Sequence, residues 1–132
     1  MPVEYNEFKV QFKKDSSAAK KESRETETYI IKPENLCQGR GIYLVKDPGD
    51  VEHTDNCVAQ RYITNPFLID DLKFDLRLYV LLMGVNPLRI FLFKDGLVRL
   101  ATEPYVKPTE DNIGNLFMHL TNYAINKKNK QF

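Results

Sequence analysis

Three charged residues alternate along one segment of the sequence and could bind a polyanion together. Lys73, Asp75 and Arg77 are separated by single apolar residues. If the segment is a β-strand, the alternation places all three on one face, about 6.5–7 Å apart along the strand. Two cations with a carboxylate between them suit phosphate or ribose binding. The same spacing suits a solvated sheet face with cross-strand ion pairs, so the pattern leaves both interpretations open.

A glycine-containing loop at residues 37–41 is a second candidate anion site. Gly39 and Gly41 flank Arg40. A glycine lets backbone N–H groups approach a phosphate closely, because no Cβ intervenes. The loop is not a Walker loop, since no Gly-Lys-Ser/Thr follows it, and a plain hairpin turn is the alternative. Lys32, just before Pro33, is either a surface lysine or a point charge for a phosphate.

Other residues carry weaker signals. Arg99 lies in an otherwise apolar segment, where an inward-pointing arginine is usually paired or functional. His119 has no other His, Cys or carboxylate at ligand spacing, so we predict a satisfied, partly buried histidine rather than a metal ligand. Cys37 and Cys57 have no catalytic partner by spacing and do not form a disulfide framework. The run from Gln60 to Ile63 could offer a backbone edge to a purine.

The elements that must position these residues are predicted to be mostly strands. Short strands are predicted at 29–32, 42–45 and 58–63. Residues 72–83 give the clearest pattern, because apolar side chains at every second position predict a strand whose apolar face packs on a core. Segments 88–93 and 97–101 are predicted to form a hairpin around Asp95 and Gly96, with the glycine supplying a positive φ. The three strands would form an antiparallel meander.

The two ends of the chain have less regular patterns. Residues 13–28 contain no aromatic and no large aliphatic side chain and are predicted to form an exposed, mobile loop. Before them, Tyr5, Phe8, Val10 and Phe12 fit a short helix or a strand. Residues 115–126 predict a short helix or an ordered loop. We therefore divide the chain into a polar segment at 1–28 and a β-rich domain at 29–132.

Length and composition suit one cytosolic domain. The chain has 132 residues, of which 42% are hydrophobic and 28% charged, and its net charge is +1. This balance does not indicate binding to nucleic acid or to a membrane surface. No apolar run approaches the roughly 18 residues that span a bilayer, and the N-terminus has no apolar signal core. We expect neither nucleic acid nor membrane as a partner.

Four segments match the motifs of a known family. They are YIIKPENLCQGRGIYLV (29–45), VAQRYITNPFLIDDLKFDLRLYVLL (58–82), PLRIFLFKDGLVRLATEPY (87–105) and NLFMHLTNYAINKKN (115–129). In this order they resemble the tubulin–tyrosine ligase-like family over nearly the whole chain. The Cys-Gln-Gly-Arg-Gly-Ile loop is most similar to the polyglutamylase branch. The resemblance implies an α+β, ATP-grasp-like fold rich in antiparallel sheet, of which this chain is an incomplete domain, with ATP between two sheets.

The resemblance also implies roles for individual residues. Lys32 would contact the nucleotide phosphates, beneath a flexible loop that contains Gln38 and Gly39. Arg77 would be the catalytic residue that supports the reacting phosphate or carboxyl. Arg99 and Tyr123 would bind the incoming glutamate. The whole nucleotide set would be Lys32, Gln38, Gly39, the backbone of Gln60, Arg61, Tyr62 and Ile63, and then Lys73, Phe74, Asp75, Thr121 and Asn122.

The implied reaction joins glutamate to glutamate side chains of tubulin tails. A tail carboxylate would take the γ-phosphate of ATP, and the amine of free L-glutamate would then displace phosphate. Because three anions must meet, the site needs cations and Mg²⁺ to neutralise developing charge. The family's magnesium ligands are expected beyond Phe132, so the chain by itself is expected to be inactive. Tubulin and microtubules are the implied partners, and the cytoskeleton, including a cilium or basal body, the implied location.

Two alternatives remain open. One is a ligase of the same family that adds glycine or tyrosine, although Arg99 favours an anionic amino acid because a side-chain carboxylate needs a cationic partner. The other is a non-catalytic, tubulin-binding remnant that no longer performs ligation.

Overall fold

The computed structural model describes residues 3–22, 27–52 and 56–132, which form an α+β protein with antiparallel sheets. The chain divides into two units, Met1–Pro66 with Val106–Leu116 and Phe67–Tyr105 with Phe117–Phe132. The first unit contains helix α1 (Val3–Lys21), strands β1 (Tyr29–Pro33), β2 (Tyr43–Val45) and β3 (Cys57–Arg61), and a 3-10 turn at Pro48–Asp50. The second contains strands β4 (Leu68–Ile69), β5 (Leu72–Val85) and β6 (Leu88–Leu100) and helix α3 (Tyr123–Asn126), whereas α2 (Leu116–His119) begins at the boundary.

Helix α1 corrects the prediction of a loop at residues 13–28. Residues 13–21 are helical, consistent with the high helix propensity of the lysines and alanines there. Phe8 and Phe12 lie one turn apart on a shared face, and Phe12 and Ala19 are buried. Residues 23–26 of the predicted loop lie outside the described residues, and the domain boundary at residue 28 stays a prediction.

The sheet of the first unit has the order β2-β1-β3, with both pairs antiparallel. Its three strands confirm the predicted ones, although β3 ends at Arg61 rather than at 63. One face packs on α1 through a buried cluster formed by Phe12, Tyr29, Ile31, Val45 and Val51. Since successive side chains of a strand point to opposite faces, Lys32 and Gln60 lie on the face away from α1. The helix does not cover this second face, on which Ile30 and Leu44 are nevertheless buried.

Strand β5 opens with a tight hairpin that the sequence pattern did not reveal. Ile69 pairs with Leu72, and the two residues between them, Asp70 and Asp71, have φ values of 51° and 62°. Two consecutive left-handed residues are typical of a type I′ turn, whose twist matches the flanking strands. The turn sets where β5 begins, and therefore the register of Lys73 and Asp75.

Strand β6 is continuous, so the predicted hairpin around Asp95 and Gly96 is wrong. β6 pairs with β5 along its length, with a register shift between the pairs Leu78↔Gly96 and Val80↔Leu92. Such a shift is a bulge that accommodates extra residues within one strand. Gly96 lacks the positive φ that the hairpin required, and a Cβ there would lie 2.7 Å from the carbonyl oxygen of Arg77. The glycine therefore permits close strand approach.

The apolar face of β5 is not covered by the described residues. Its alternating side chains are 55–64% exposed, so the prediction that this face packs on a core is wrong for the described part of the chain. They are Leu76, Leu78, Val80 and Leu82.

The predicted C-terminal helix is present as two short helices, α2 and α3. Across the described ranges, no helix is long and apolar enough to cross a bilayer.

Candidate functional site

Asp75 is the centre of a polar network on β5. Its Oδ1 accepts a hydrogen bond from Nε of Arg99 at 2.7 Å, and its Oδ2 accepts bonds from Nη2 of Arg99 and Oγ1 of Thr121, both at 2.7 Å. The strand register places Asp75 directly opposite Arg99. Two parallel bonds between a guanidinium and a carboxylate form a strong, geometrically specific pair. A cross-strand ion pair, which was one of the two interpretations left open by the sequence, is therefore present, and it joins two of the proposed ligand-binding residues.

The network keeps Asp75 charged. Burial raises the pKa of this carboxyl, but hydrogen bonds from Arg99 and Thr121, together with the charges of Arg99 and Arg77, outweigh burial and hold the pKa below its usual value. The hydrogen bond to Asp75 in turn raises the pKa of Arg99. An ionised carboxylate accepts about four hydrogen bonds, and three are made here. Asp75 can therefore accept one more bond, for example from a ligand hydroxyl.

Lys73 is held beside this network through a backbone contact. Its Nζ donates to the carbonyl oxygen of His119 at 3.0 Å. The His119 side chain is fully buried and packs edge-to-face on Tyr105, with 5.9 Å between ring centroids. This placement agrees with the prediction of a buried histidine. The described residues contain no group of three His, Cys, Asp or Glu side chains that could hold a metal ion.

The other predicted site residues of the second unit do not take part in the hydrogen bonds of Asp75 described above. Arg77 lies on the same strand face as Asp75 and is exposed. Phe74 points to the opposite face, where its ring packs on Phe67 with centroids 6.2 Å apart. Asn122 caps α3, and its carbonyl oxygen accepts the backbone N–H of residue 126. Tyr123 is 61% exposed, and its ring contacts Phe132 with centroids 5.6 Å apart.

In the first unit, Lys32 and Gln60 meet on the sheet face away from α1. Nζ of Lys32 donates to Oε1 of Gln60 at 2.5 Å. The contact is exposed, so the lysine retains donors for an anion. Lys32 is therefore oriented by a neutral partner that does not cancel its charge.

The loop between β1 and β2 has an unusual backbone. Gln38, Gly39 and Gly41 have φ values of 60°, 84° and 67°. The positive φ of Gly41 favours glycine there, and a Cβ at this position would also require the Leu36 side chain to move, since its Cδ1 would lie only 2.7 Å away. The amide of Arg40 bonds the carbonyl of residue 37 at 3.2 Å. The loop therefore connects two antiparallel strands as a hairpin, in agreement with the hairpin interpretation.

The side chain and the backbone groups of Arg61 point in different directions. Its side chain turns towards α1, where Nη2 lies 2.8 Å from Oδ2 of Asp15 and Nε lies 3.5 Å from Oε2 of Glu27. The amide of Tyr62 donates to the carbonyl of Thr28 at 2.8 Å. Because hydrogen-bonding direction alternates along an antiparallel strand, the backbone N–H and C=O of Arg61 point to the outer edge of the sheet.

Two residues that fix the positions of the predicted site residues were not identified from the sequence. Asp15 was assigned to a loop, although it accepts bonds from Gln11, Tyr29 and Arg61. Asn126 is buried and bonds to Thr102 at 3.0 and 2.8 Å. The sequence did contain a signal for Asn126, because it stands among apolar positions of the C-terminal segment. A polar side chain at a buried position needs hydrogen-bond partners.

Comparison with known proteins identifies the family of the chain. A sequence model of the Tubulin-tyrosine ligase family matches residues 1–132. The chain is 53% identical over 132 residues to a Tetrahymena thermophila protein named "Probable beta-tubulin polyglutamylase". It is 46% identical over 132 residues to tubulin polyglutamylase TTLL13 of Mus musculus. It is 48% identical over 133 residues to tubulin polyglutamylase TTLL11 of Homo sapiens. These matches cover 96–100% of this chain, but the chain spans only 10–18% of the length of these relatives.

Proposed function

Because this chain belongs to the tubulin-tyrosine ligase family, we propose that it is the nucleotide-binding part of an ATP-dependent ligase that joins glutamate to glutamate side chains of tubulin tails. The relatives that match over almost the whole chain carry the name tubulin polyglutamylase, which supports this choice within the family. The observation that carries the proposal is the network around Asp75. It combines a charged carboxylate, an arginine with further donors and a threonine hydroxyl.

The proposed domain is ATP-grasp-like, with residues 29–132 forming its central part. Two antiparallel three-stranded sheets support the assignment, because that fold is built on antiparallel sheets. In the first unit, Lys32 and the loop with Gln38 and Gly39 would hold phosphates. The outward backbone groups of Arg61, within the run from Gln60 to Ile63, would meet the adenine.

The second unit also carries side chains that suit a nucleotide. Lys73 brings a cation, and Asp75 has an acceptor site for a ribose hydroxyl. Thr121 and Asn122 complete the proposed set. ATP, when bound, would supply its γ-phosphoryl group to a tail carboxylate with release of ADP, and the amine of glutamate would then displace phosphate to form the amide bond. Arg77, exposed on the same strand face, would support the reacting phosphate or carboxyl by neutralising its charge.

The amino-acid substrate is proposed to be free L-glutamate, bound by Arg99 and Tyr123. A guanidinium has five N–H donors, and Asp75 occupies one on Nε and one on Nη2 of Arg99. The other donors can bind the side-chain carboxylate of glutamate, which glycine and tyrosine lack. The exposed Tyr123 hydroxyl would add a neutral contact. The remaining donors of Arg99 therefore favour the addition of glutamate over the addition of glycine or tyrosine.

The described residues contain no group of three His, Cys, Asp or Glu side chains that could hold Mg²⁺, and the magnesium ligands are proposed to lie outside them. The roles above are therefore assigned to protein side chains alone.

Tubulin is proposed as the protein substrate and the cytoskeleton as the location, including a cilium or basal body.

The proposal is tested on the full-length protein that contains this segment. Purified tubulin is incubated with ATP and labelled glutamate, glycine or tyrosine, and incorporation into tubulin is measured. We expect glutamate incorporation, and we expect Arg99→Ala to lower kcat/KM for glutamate about 10- to 100-fold because a charged hydrogen bond is lost. Arg89→Ala, on the same strand, is the matched control and should change little. Incorporation of glycine or tyrosine alone, or of no amino acid, would overturn the proposal.

A further inference from the structure

Asn126 is a buried polar side chain whose hydrogen-bonding groups are all used. It is 1% exposed. Its Nδ2 donates to the carbonyl oxygens of Leu120 and Asn122 at 2.8 and 3.2 Å. Its Oδ1 accepts from the backbone N–H and the hydroxyl of Thr102 at 3.0 and 2.8 Å. A side-chain amide offers two donors and two acceptor lone pairs, so the four bonds saturate it.

The surroundings fix which way this amide points. The carbonyls of Leu120 and Asn122 can only accept, and the amide of Thr102 can only donate. Exchanging the oxygen and nitrogen of Asn126 would set donor against donor and acceptor against acceptor. An aspartate would keep the acceptors and lose both donors, and an apolar residue would lose all four groups. The position therefore requires an amide of this length.

Asn126 connects the two segments that meet at Asp75. Thr102 follows β6 closely, three positions after Arg99. Leu120 and Asn122 flank Thr121 in the sequence. Arg99 and Thr121 both bond to the Asp75 carboxylate. The four bonds of Asn126 thus fasten the segment that carries Thr121 to the strand that carries Arg99.

We propose that Asn126 is a positioning residue that holds the Thr121 hydroxyl against Asp75 and so orients the Asp75 carboxylate towards the nucleotide. The inference rests on the proposed function and deepens it by naming what aligns the site. Asn126 touches no ligand itself. It acts through Thr121, so the effects of changing the two residues should not add.

The experiment is a double-mutant cycle in the full-length protein. Binding of a non-hydrolysable ATP analogue is measured against pH for the wild type, Asn126→Ala, Thr121→Val and the double variant, with circular dichroism to confirm folding. We expect each single variant to weaken binding about 10-fold or more, and the double variant to be no weaker than the weaker single one. Asn129→Ala is the matched control, because Asn129 bonds Thr102 and Glu103. It should change binding less than about 2-fold.

The pH dependence separates positioning from general stability. The Thr121 bond contributes to the low pKa of Asp75, so losing it raises that pKa, and the acid limb of analogue binding should move to higher pH in Asn126→Ala. Additive effects, or a folded Asn126→Ala protein with wild-type affinity and acid limb, would overturn the inference. If Asn126→Ala does not fold, Thr102→Val, which removes one bond to Asn126, replaces it in the cycle. A folded wild type that binds no analogue would instead overturn the proposed function.

Discussion

Replacing Phe12 with alanine should loosen α1 from the first sheet. Phe12 is 3% exposed, and its ring centroid lies 4.9 Å from that of Tyr29 and 5.8 Å from that of Phe8. Removing a buried phenylalanine side chain typically costs about 3–5 kcal/mol, because transfer free energy is lost and a cavity remains. Phe12 belongs to the buried cluster that joins helix and sheet. The substitution should therefore lower the free energy needed to open α1 from the sheet.

Hydrogen exchange of the full-length protein measures this opening directly. Each 1.36 kcal/mol changes an equilibrium constant tenfold, so exchange in peptides covering residues 3–22 should accelerate by roughly two to four orders of magnitude. Peptides from the second unit should keep their wild-type exchange rates.

The matched control is Val10→Ala on the same helix. Val10 is 54% exposed, so its truncation should change the free energy of opening by less than about 0.5 kcal/mol. Equal, small accelerations in both variants would refute the packing of α1 on the sheet and restore the interpretation of residues 13–28 as a mobile loop.

Two further predictions concern strand approach and pH. Gly96→Ala should lower the Tm of the full-length protein, at a cost of about 1–3 kcal/mol, because its Cβ would lie 2.7 Å from the carbonyl oxygen of Arg77. Gly114→Ala, with nothing within 4 Å, should not, and equal Tm values would contradict this reasoning. The hydrogen bond from Tyr29 lowers the pKa of Asp15 below 3.8, more than burial raises it, and the bond from Arg61 adds to the lowering. A lowered carboxyl pKa stabilises the fold above the unfolded-state pKa and loses this contribution as pH falls through the folded-state value. Exchange protection of α1 should therefore decline below about pH 3.8, with Asp15→Asn weaker at neutral pH and lacking this decline; a wild-type profile in the variant would contradict the assignment.

Local patterns predicted the elements that depend on residue periodicity. Strands β1, β2, β3 and β5 were predicted from alternating or short apolar runs bounded by turn residues. Such runs are visible in neighbouring positions of the sequence. Helix α1 was only partly recognised, because residues 13–21 lack large apolar side chains and therefore lack a periodic signal. Its attachment instead depends on Phe12 and on the bonds of Asp15 to Tyr29 and Arg61.

The error at β6 has a different cause. Asp95 and Gly96 carry the local signature of a tight turn, and that signature was the basis for the predicted hairpin. The pairing with β5 overrides it, since the bulge accommodates the extra residues and Gly96 gives the Arg77 carbonyl room. A glycine required by a neighbouring strand cannot be distinguished from a turn glycine by its own sequence context.

The sequence by itself determined that Lys73, Asp75 and Arg77 share one face, because side chains alternate along any β-strand. Only the tertiary structure decided which groups that face meets. Arg99 lies 24 residues from Asp75 in the sequence, and Thr121 lies 46 residues away. Their meeting depends on the register between β5 and β6 and on the bonds that fasten residues 120–122 to the end of β6. Register and packing depend on contacts between distant segments, and no local pattern of residues specifies them.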